Sequence, residues 1–149
     1  VTHEISVERL TPDWTNSTQV SSGFFGASNV EAPVMFKRGS TYYSLFGHTC
    51  CFCGAGSDAV VHHASAPLGP WVTTSADIGA YSNGSSIPIA QQRSTFLYPP
   101  TGDNATVIWN GNRWQSAPDG IKDHDFSTWL PLEWDDTVTP PMPKQMRWL

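Results

Sequence analysis

The 149 residues are on the order of one domain. Eight Lys and Arg against 13 Asp and Glu give a net charge of −5, which excludes the basic stripe of a nucleic-acid binder, and no run of about 18 apolar residues is available to span a membrane. Charged residues make up only 14% of the chain while Gly and Pro number 12 each, a balance that disfavours a helix-rich domain. Aromatic residues, 12% of the total with seven Trp among them, favour strands and offer flat faces on which a sugar ring can stack.

In chain order, residues 5–10 read as a strand, and the segment from Thr11 to Asn29 as a loop. Val34-Met35-Phe36-Lys37, the turn Arg38-Gly39-Ser40 and residues 41–47 (TYYSLFG) form a hairpin pattern. Residues 58–65 (DAVVHHAS) supply a third strand, the Pro/Gly run 66–70 a turn, and Trp71-Val72-Thr73 an extended restart. After a Ser/Gly-rich loop the pattern repeats. Residues 91–98 (QQRSTFLY), the turn 99–104 and residues 105–109 (ATVIW) form a second hairpin. Residues 129–134 (WLPLEW) and 144–149 are further strand expectations. No stretch keeps a helical period.

Two similar units of about four short strands each are the pattern of β-propeller blades. The expectation is an all-β, partial β-propeller of two to three antiparallel blades. Residues 1–29 form a partial blade and loop, 30–86 a blade carrying Glu31, and 87–149 a blade carrying Gln91 and Gln92. Because a blade buries its faces only against its neighbours, an incomplete ring should recruit a second copy or a second half-chain.

Three sequons, at Asn16, Asn83 and Asn104, lie in polar loops and lean towards a secreted, extracellular glycoprotein. The first ten residues lack a charged stretch followed by an apolar one, so any secretion signal is expected to have been removed. Cys50, Cys51 and Cys53 are expected to form one disulfide. A pair that includes Cys53 is favoured, because a bond between immediate neighbours is strained. Zinc with His48 as fourth ligand is disfavoured, since zinc sites usually draw ligands from two separated arms. His62 and His63 diverge on a strand. The loop with Asp119, Asp123, His124 and Asp125 lacks the EF-hand spacing. No metal and no cofactor is implied.

In an antiparallel hairpin the start of the first strand lies beside the end of the second. Glu31 therefore falls next to Gly47 and His48, and Gln91-Gln92 next to residues 110–114. Glu31 and Gln91 occupy equivalent channel-facing positions of adjacent units. A carboxyl group projecting from an inner strand among aromatic side chains suits a general acid that protonates a glycosidic oxygen. Phe46 and the 50–53 loop are expected to wall one side of it. The competing reading is a Glu that ends a strand in solvent.

The run Glu31-Ala32-Pro33-Val34-Met35-Phe36-Lys37-Arg38, a short turn, then Tyr42-Tyr43 resembles glycoside hydrolase family 43. His48-Thr49-Cys50-Cys51-Phe52-Cys53-Gly54 and Ala64-Ser65-Ala66-Pro67-Leu68-Gly69-Pro70 narrow the likeness to the exo-β-1,3-galactanase branch. So do Ala90-Gln91-Gln92, Gly111-Asn112-Arg113-Trp114, Ser116-Ala117-Pro118-Asp119-Gly120 and His124-Asp125-Phe126, and residues 21–28 resemble fungal members. The resemblance implies a five-bladed propeller, of which this chain matches the C-terminal half, and inverting hydrolysis. It makes Glu31 the catalytic acid and Gln91 or Gln92 the amide that positions the attacking water. Thr49, Asn112, Arg113 and Trp114 would contact the sugar. The partner is then a galactose-containing polysaccharide or oligosaccharide. Two readings follow: a hydrolase of β-1,3-linked galactan, or a lectin-like protein that binds it without turnover.

Overall fold

The structure, a computed structural model, describes residues 3–49, 52–100 and 105–147. Antiparallel strands dominate, and the helical element among the described residues is a single 3-10 turn, Lys122–His124. β1 (Glu8–Leu10) and β2 (Ser17–Ser21) pair in the N-terminal segment. β3 (Val30–Arg38), β4 (Thr41–His48), β5 (Val60–Ala64) and β6 (Val72–Asp77) form a four-stranded sheet in chain order. β7 (Gln91–Tyr98), β8 (Thr106–Arg113) and β9 (Phe126–Pro131) form a three-stranded one, and β10 (Trp134–Asp135) with β11 (Met142–Pro143) a two-stranded ribbon. The fold is all-β, with separate sheets that do not close into a ring, as a partial propeller requires. β3 and β7, the first strands of the two larger sheets, lie side by side.

The core follows from strand alternation. Val34, Leu45 and Val61 stand opposite one another on one face of the first sheet. Trp109 and Leu130 stand opposite one another, with Val107 on the same face, in the second. All are buried and belong to one cluster. Burying each such side chain contributes about 1.5–3 kcal/mol. On its other face the first sheet carries Ser44, Phe46 and His62, also buried. Phe25 covers them: its ring stacks on Trp71 with centroids 4.8 Å apart and meets Phe46 and His62 edge-on. Gly26 makes this possible, because a Cβ there would lie 2.7 Å from the Phe46 ring. The other face of the second sheet has no such cover among the described residues. Phe96, Ile108 and Pro131 are aligned across it, and Phe96 and Trp129 are 39% and 65% exposed.

Several expectations shift, among them the loop expected over residues 11–29, which contains β2. The second sheet has three strands instead of four. Residues 144–147 are not a strand: Met146 donates its N–H to Ile78 and buries its side chain in the core. Trp148 and Leu149 lie outside the described residues. Finally, β8 runs on to Arg113 through Asn110-Gly111-Asn112, residue types that usually mark a turn. Here the Asn110 amide donates to the Thr128 carbonyl at 3.3 Å. The Trp109 ring also occupies the space a Cβ at Gly111 would need, at 2.2 Å.

Candidate functional site

The site is built where β3 and β7 begin. Glu31 pairs with Gly47, and the next pair is Val34 with Leu45, so β3 carries one extra residue. Ala32, inside this bulge, has φ of 55°, a conformation that non-glycine residues seldom adopt and that recurs at functional sites. Pro33 suits the bulge because it has no N–H to leave unpaired. β7 repeats the device: Gln92 pairs with Gly111 and Ser94 with Asn110, again with one residue extra. A bulge bends its strand and re-aims the neighbouring side chain. Here the two bulges lie beside Glu31 and Gln91.

Gly47, opposite Glu31, is required by close packing, since a Cβ would lie 2.1 Å from the Asp58 carbonyl oxygen. Asp58 Oδ1 accepts the His48 backbone N–H at 2.6 Å and lies 2.9 Å from His48 Nδ1, which fixes the end of β4 below the site.

The side chains of Glu31 and Gln91 meet. Gln91 Nε2 donates to Glu31 Oε1 at 2.7 Å, and Trp114 Nε1 donates to Gln91 Oε1 at 2.7 Å. An indole N–H can only donate, so Trp114 determines which end of the amide faces Glu31. On the other side of the carboxyl group, His3 Nδ1 lies 3.9 Å from Glu31 Oε2 and 3.4 Å from Thr49 Oγ1. The Glu31 side chain is 23% exposed, open enough to meet a ligand.

The structure thus gathers Glu31, Gln91, Trp114 and Thr49. Gln92 does not join them. It is 2% exposed, points to the opposite side of β7, and its carboxamide has no hydrogen-bond partner among the described residues. Asn112 sits opposite Gln91 in the ladder and Arg113 opposite Phe126, both half-buried beside the site. Phe46 does not wall Glu31 as expected. Strand alternation puts it on the other face of β4, stacked on His62 at 4.0 Å. Burial in that stack lowers the His62 pKa.

Three residues that the sequence did not single out belong here. His3 comes from the N-terminal segment, where no motif marks it. Phe52 meets the Trp114 ring edge-on at 5.0 Å. Lys122 places its ammonium 3.1 Å from the Phe52 ring centre and 5.1 Å from that of Trp114. Phe52 and Lys122 thus pack around Trp114 and tie the 115–125 loop to it.

Cys53 is disulfide-bonded; Cys50, Cys51 and the sequon Asn104 lie outside the described residues. Asn16 and Asn83 are exposed in loops. Among the described residues no three His, Cys, Asp or Glu side chains gather as a metal would need. In the 115–125 loop, Asp125 accepts the N–H groups of Ala117 and Gln115, and Asp119 pairs with His124. These bonds hold both carboxyl groups below their ordinary pKa.

No family model matches the sequence, and no curated protein matches it. Solved structures do. An exo-β-1,3-galactanase from Clostridium thermocellum superposes with a TM-score of 0.70 at 20% identity, over 87% of this chain and 26% of its own. An exo-β-1,3-galactanase from Phanerochaete chrysosporium, solved with galactose, gives 0.67 at 21% identity, over 94% and 29%. A family 43 β-1,3-galactosidase gives 0.73 at 19% identity, over 98% and 28%. The chain therefore spans between a quarter and a third of the length of these proteins. It has the fold of a segment of the family 43 glycoside hydrolase β-propeller, and its structure resembles exo-β-1,3-galactanases of that family.

Proposed function

We propose that this chain supplies the acid-bearing blades of a secreted, family 43 glycoside hydrolase that acts on β-1,3-linked galactan. The observation that carries the reading is the Glu31–Gln91 contact, made across two sheets by residues that sit beside matching bulges. The likeness to galactanase structures supports the substrate class.

Glu31 is the general acid, which gives its proton to the departing glycosidic oxygen. Gln91 orients the water that attacks the sugar carbon from the opposite face, so the configuration inverts. The carboxamide oxygen takes the water's proton while its N–H gives one up through the imidic form, and Glu31 is reprotonated from solvent. Inverting sites with two catalytic carboxyl groups keep them about 6.5–9.5 Å apart to admit sugar and water. Glu31 and Gln91 meet at 2.7 Å, too close for a sugar carbon and a water between them, so productive binding separates the pair. Trp114 holds the Gln91 amide by its oxygen while Glu31 turns away. Asn112 and Arg113 line the rim of the same site. The uncovered face of the second sheet, with Phe96 and Trp129, docks a further propeller blade from a second copy or a second half-chain.

Galactose release from β-1,3-galactan tests the reading. Glu31→Gln keeps shape and removes the transferable proton, so turnover should fall by about 10²–10⁴-fold while oligosaccharide binding is retained. Undiminished turnover in Glu31→Gln would remove Glu31 from the mechanism. The closed Glu31–Gln91 contact also favours a second reading, a lectin-like protein, which saturable binding of galactan without any turnover would establish.

A further inference from the structure

The geometry points to His3 as a hydroxyl-binding residue that joins Thr49 beside Glu31, the two together receiving the turning carboxyl group and a hydroxyl of the bound sugar. This inference rests on the reading of Glu31 as the residue that acts on a saccharide. Its starting point is a convergence of three polar atoms from three separate places in the fold. His3 Nδ1 belongs to the N-terminal segment, Thr49 Oγ1 follows β4, and Glu31 Oε2 opens β3. The ring nitrogen is common to both short distances, 3.4 Å to Thr49 and 3.9 Å to Glu31.

The backbone beneath the pair is fixed. His3 accepts the Val30 N–H at 3.3 Å, Phe25 donates to Ile5 at 3.1 Å, and Thr49 donates to Asn29 at 2.7 Å. Phe25 is in turn locked by its stack on Trp71. The His3 ring itself is only loosely engaged. Its side chain is 51% exposed, 3.9 Å is beyond hydrogen-bond range, and 3.4 Å is at the limit of it. A side chain on a fixed backbone, with an under-used polar edge beside a reactive carboxyl group, is suited to a ligand. The ligand group that fits is a neutral hydroxyl, which both donates and accepts. It can therefore satisfy Nδ1 in either tautomer while it bonds Thr49 or Glu31. When the Glu31–Gln91 contact opens, the His3/Thr49 edge gives the carboxyl group a defined second position. His3 is thus a positioning residue for Glu31 as well as a binding residue for the sugar.

Calorimetric titration with β-1,3-galactobiose tests the pair. His3→Ala should weaken binding about 3- to 10-fold, the equivalent of one neutral hydrogen bond. His3→Asn should recover part of the loss, because it restores a donor and an acceptor, and Thr49→Val should resemble His3→Ala. Lys37→Ala, at an exposed position on the far end of β3, should bind like the wild type. In the wild type, the His3 ring proton resonances should shift on sugar addition. If the wild type binds but His3→Ala binds equally well with an unchanged melting temperature, the inference is overturned and the reading of Glu31 stands. A wild type that binds no galactobiose overturns both.

Discussion

Glu31 and Gln91, 60 positions apart in the chain, are joined by a hydrogen bond of 2.7 Å between the opening strands of two different sheets. Neither sheet could build this pair alone. The contact depends on the matching bulges and on Gly47, whose missing side chain leaves room for Asp58. Function, on this account, resides at the seam between two blades.

Trp114 should matter through one atom. Trp114→Phe keeps an aromatic ring against Phe52 but loses the N–H that orients Gln91. Loss of a hydrogen bond of this kind costs about 0.5–1.5 kcal/mol. Oligosaccharide binding should weaken correspondingly, by roughly 2- to 12-fold, with the melting temperature little changed. Calorimetric titration beside a thermal melt checks this; equal affinity for variant and wild type would contradict the orienting role.

Gln92 should behave in the opposite way to Gln91. Its carboxamide is buried without a partner among the described residues, and an unpaired buried polar group costs about 1–3 kcal/mol. Gln92→Met, of similar shape and apolar, should leave stability unchanged or raise it and leave binding intact. Denaturant melts and titration with β-1,3-galactobiose read both quantities. A Gln92→Met protein that folds normally but no longer binds would return Gln92 to the site.

Much of this was legible in the sequence. Antiparallel pairing brings Glu31 to the Gly47–His48 end of its hairpin and Gln91 to residues 110–114, but the exact partners, Gly47 and Asn112, depend on the one-residue shift that each bulge introduces. Alternation states only that Gln91 and Gln92 diverge, the internal repeat favours Gln91 as the equivalent of Glu31, and the structure sets Gln91 against Glu31. What the sequence hid was non-local. His3 has no motif, and it reaches Glu31 because its carbonyl accepts the Val30 N–H and Phe25 locks the N-terminal segment onto the first sheet. Phe46 looked like a wall for Glu31 because it neighbours Gly47, yet the pleat turns it to the other face. The extension of β8 through Asn110-Gly111-Asn112 was hidden because turn-forming residue types were recruited for packing around Trp109.

Stability should fall on acidification, and His62 should be one cause. Its pKa is lowered in the folded protein, chiefly by burial. Above its ordinary value of about 6.5 both folded and unfolded chains carry it neutral, and its contribution is fully present. Below that value the unfolded chain takes up a proton that the folded one resists, so stability is lost as pH falls towards the lowered folded value. His62→Phe retains the ring stack on Phe46 and should flatten the dependence between about pH 7 and pH 5. Melting temperatures across that range measure it, and an equal slope in wild type and variant would exclude His62 as the cause.

The uncovered face of the second sheet should be an interface. Phe96 and Trp129 meet edge-on at 5.5 Å on that face, where each is substantially exposed. Light scattering at micromolar concentration should show a dimer or a complex with a second chain, and Trp129→Lys should shift it towards the monomer. A strictly monomeric wild type would contradict this assembly.

The central claim is that one saccharide site is built across the seam by Glu31 and Gln91, and titration of β-1,3-galactobiose into wild-type and Gln91→Ala protein tests it most directly. The account predicts saturable binding by the wild type, weakened about 10-fold in the variant, the equivalent of roughly 1.4 kcal/mol. No binding by the wild type, or equal binding by both proteins, would contradict it.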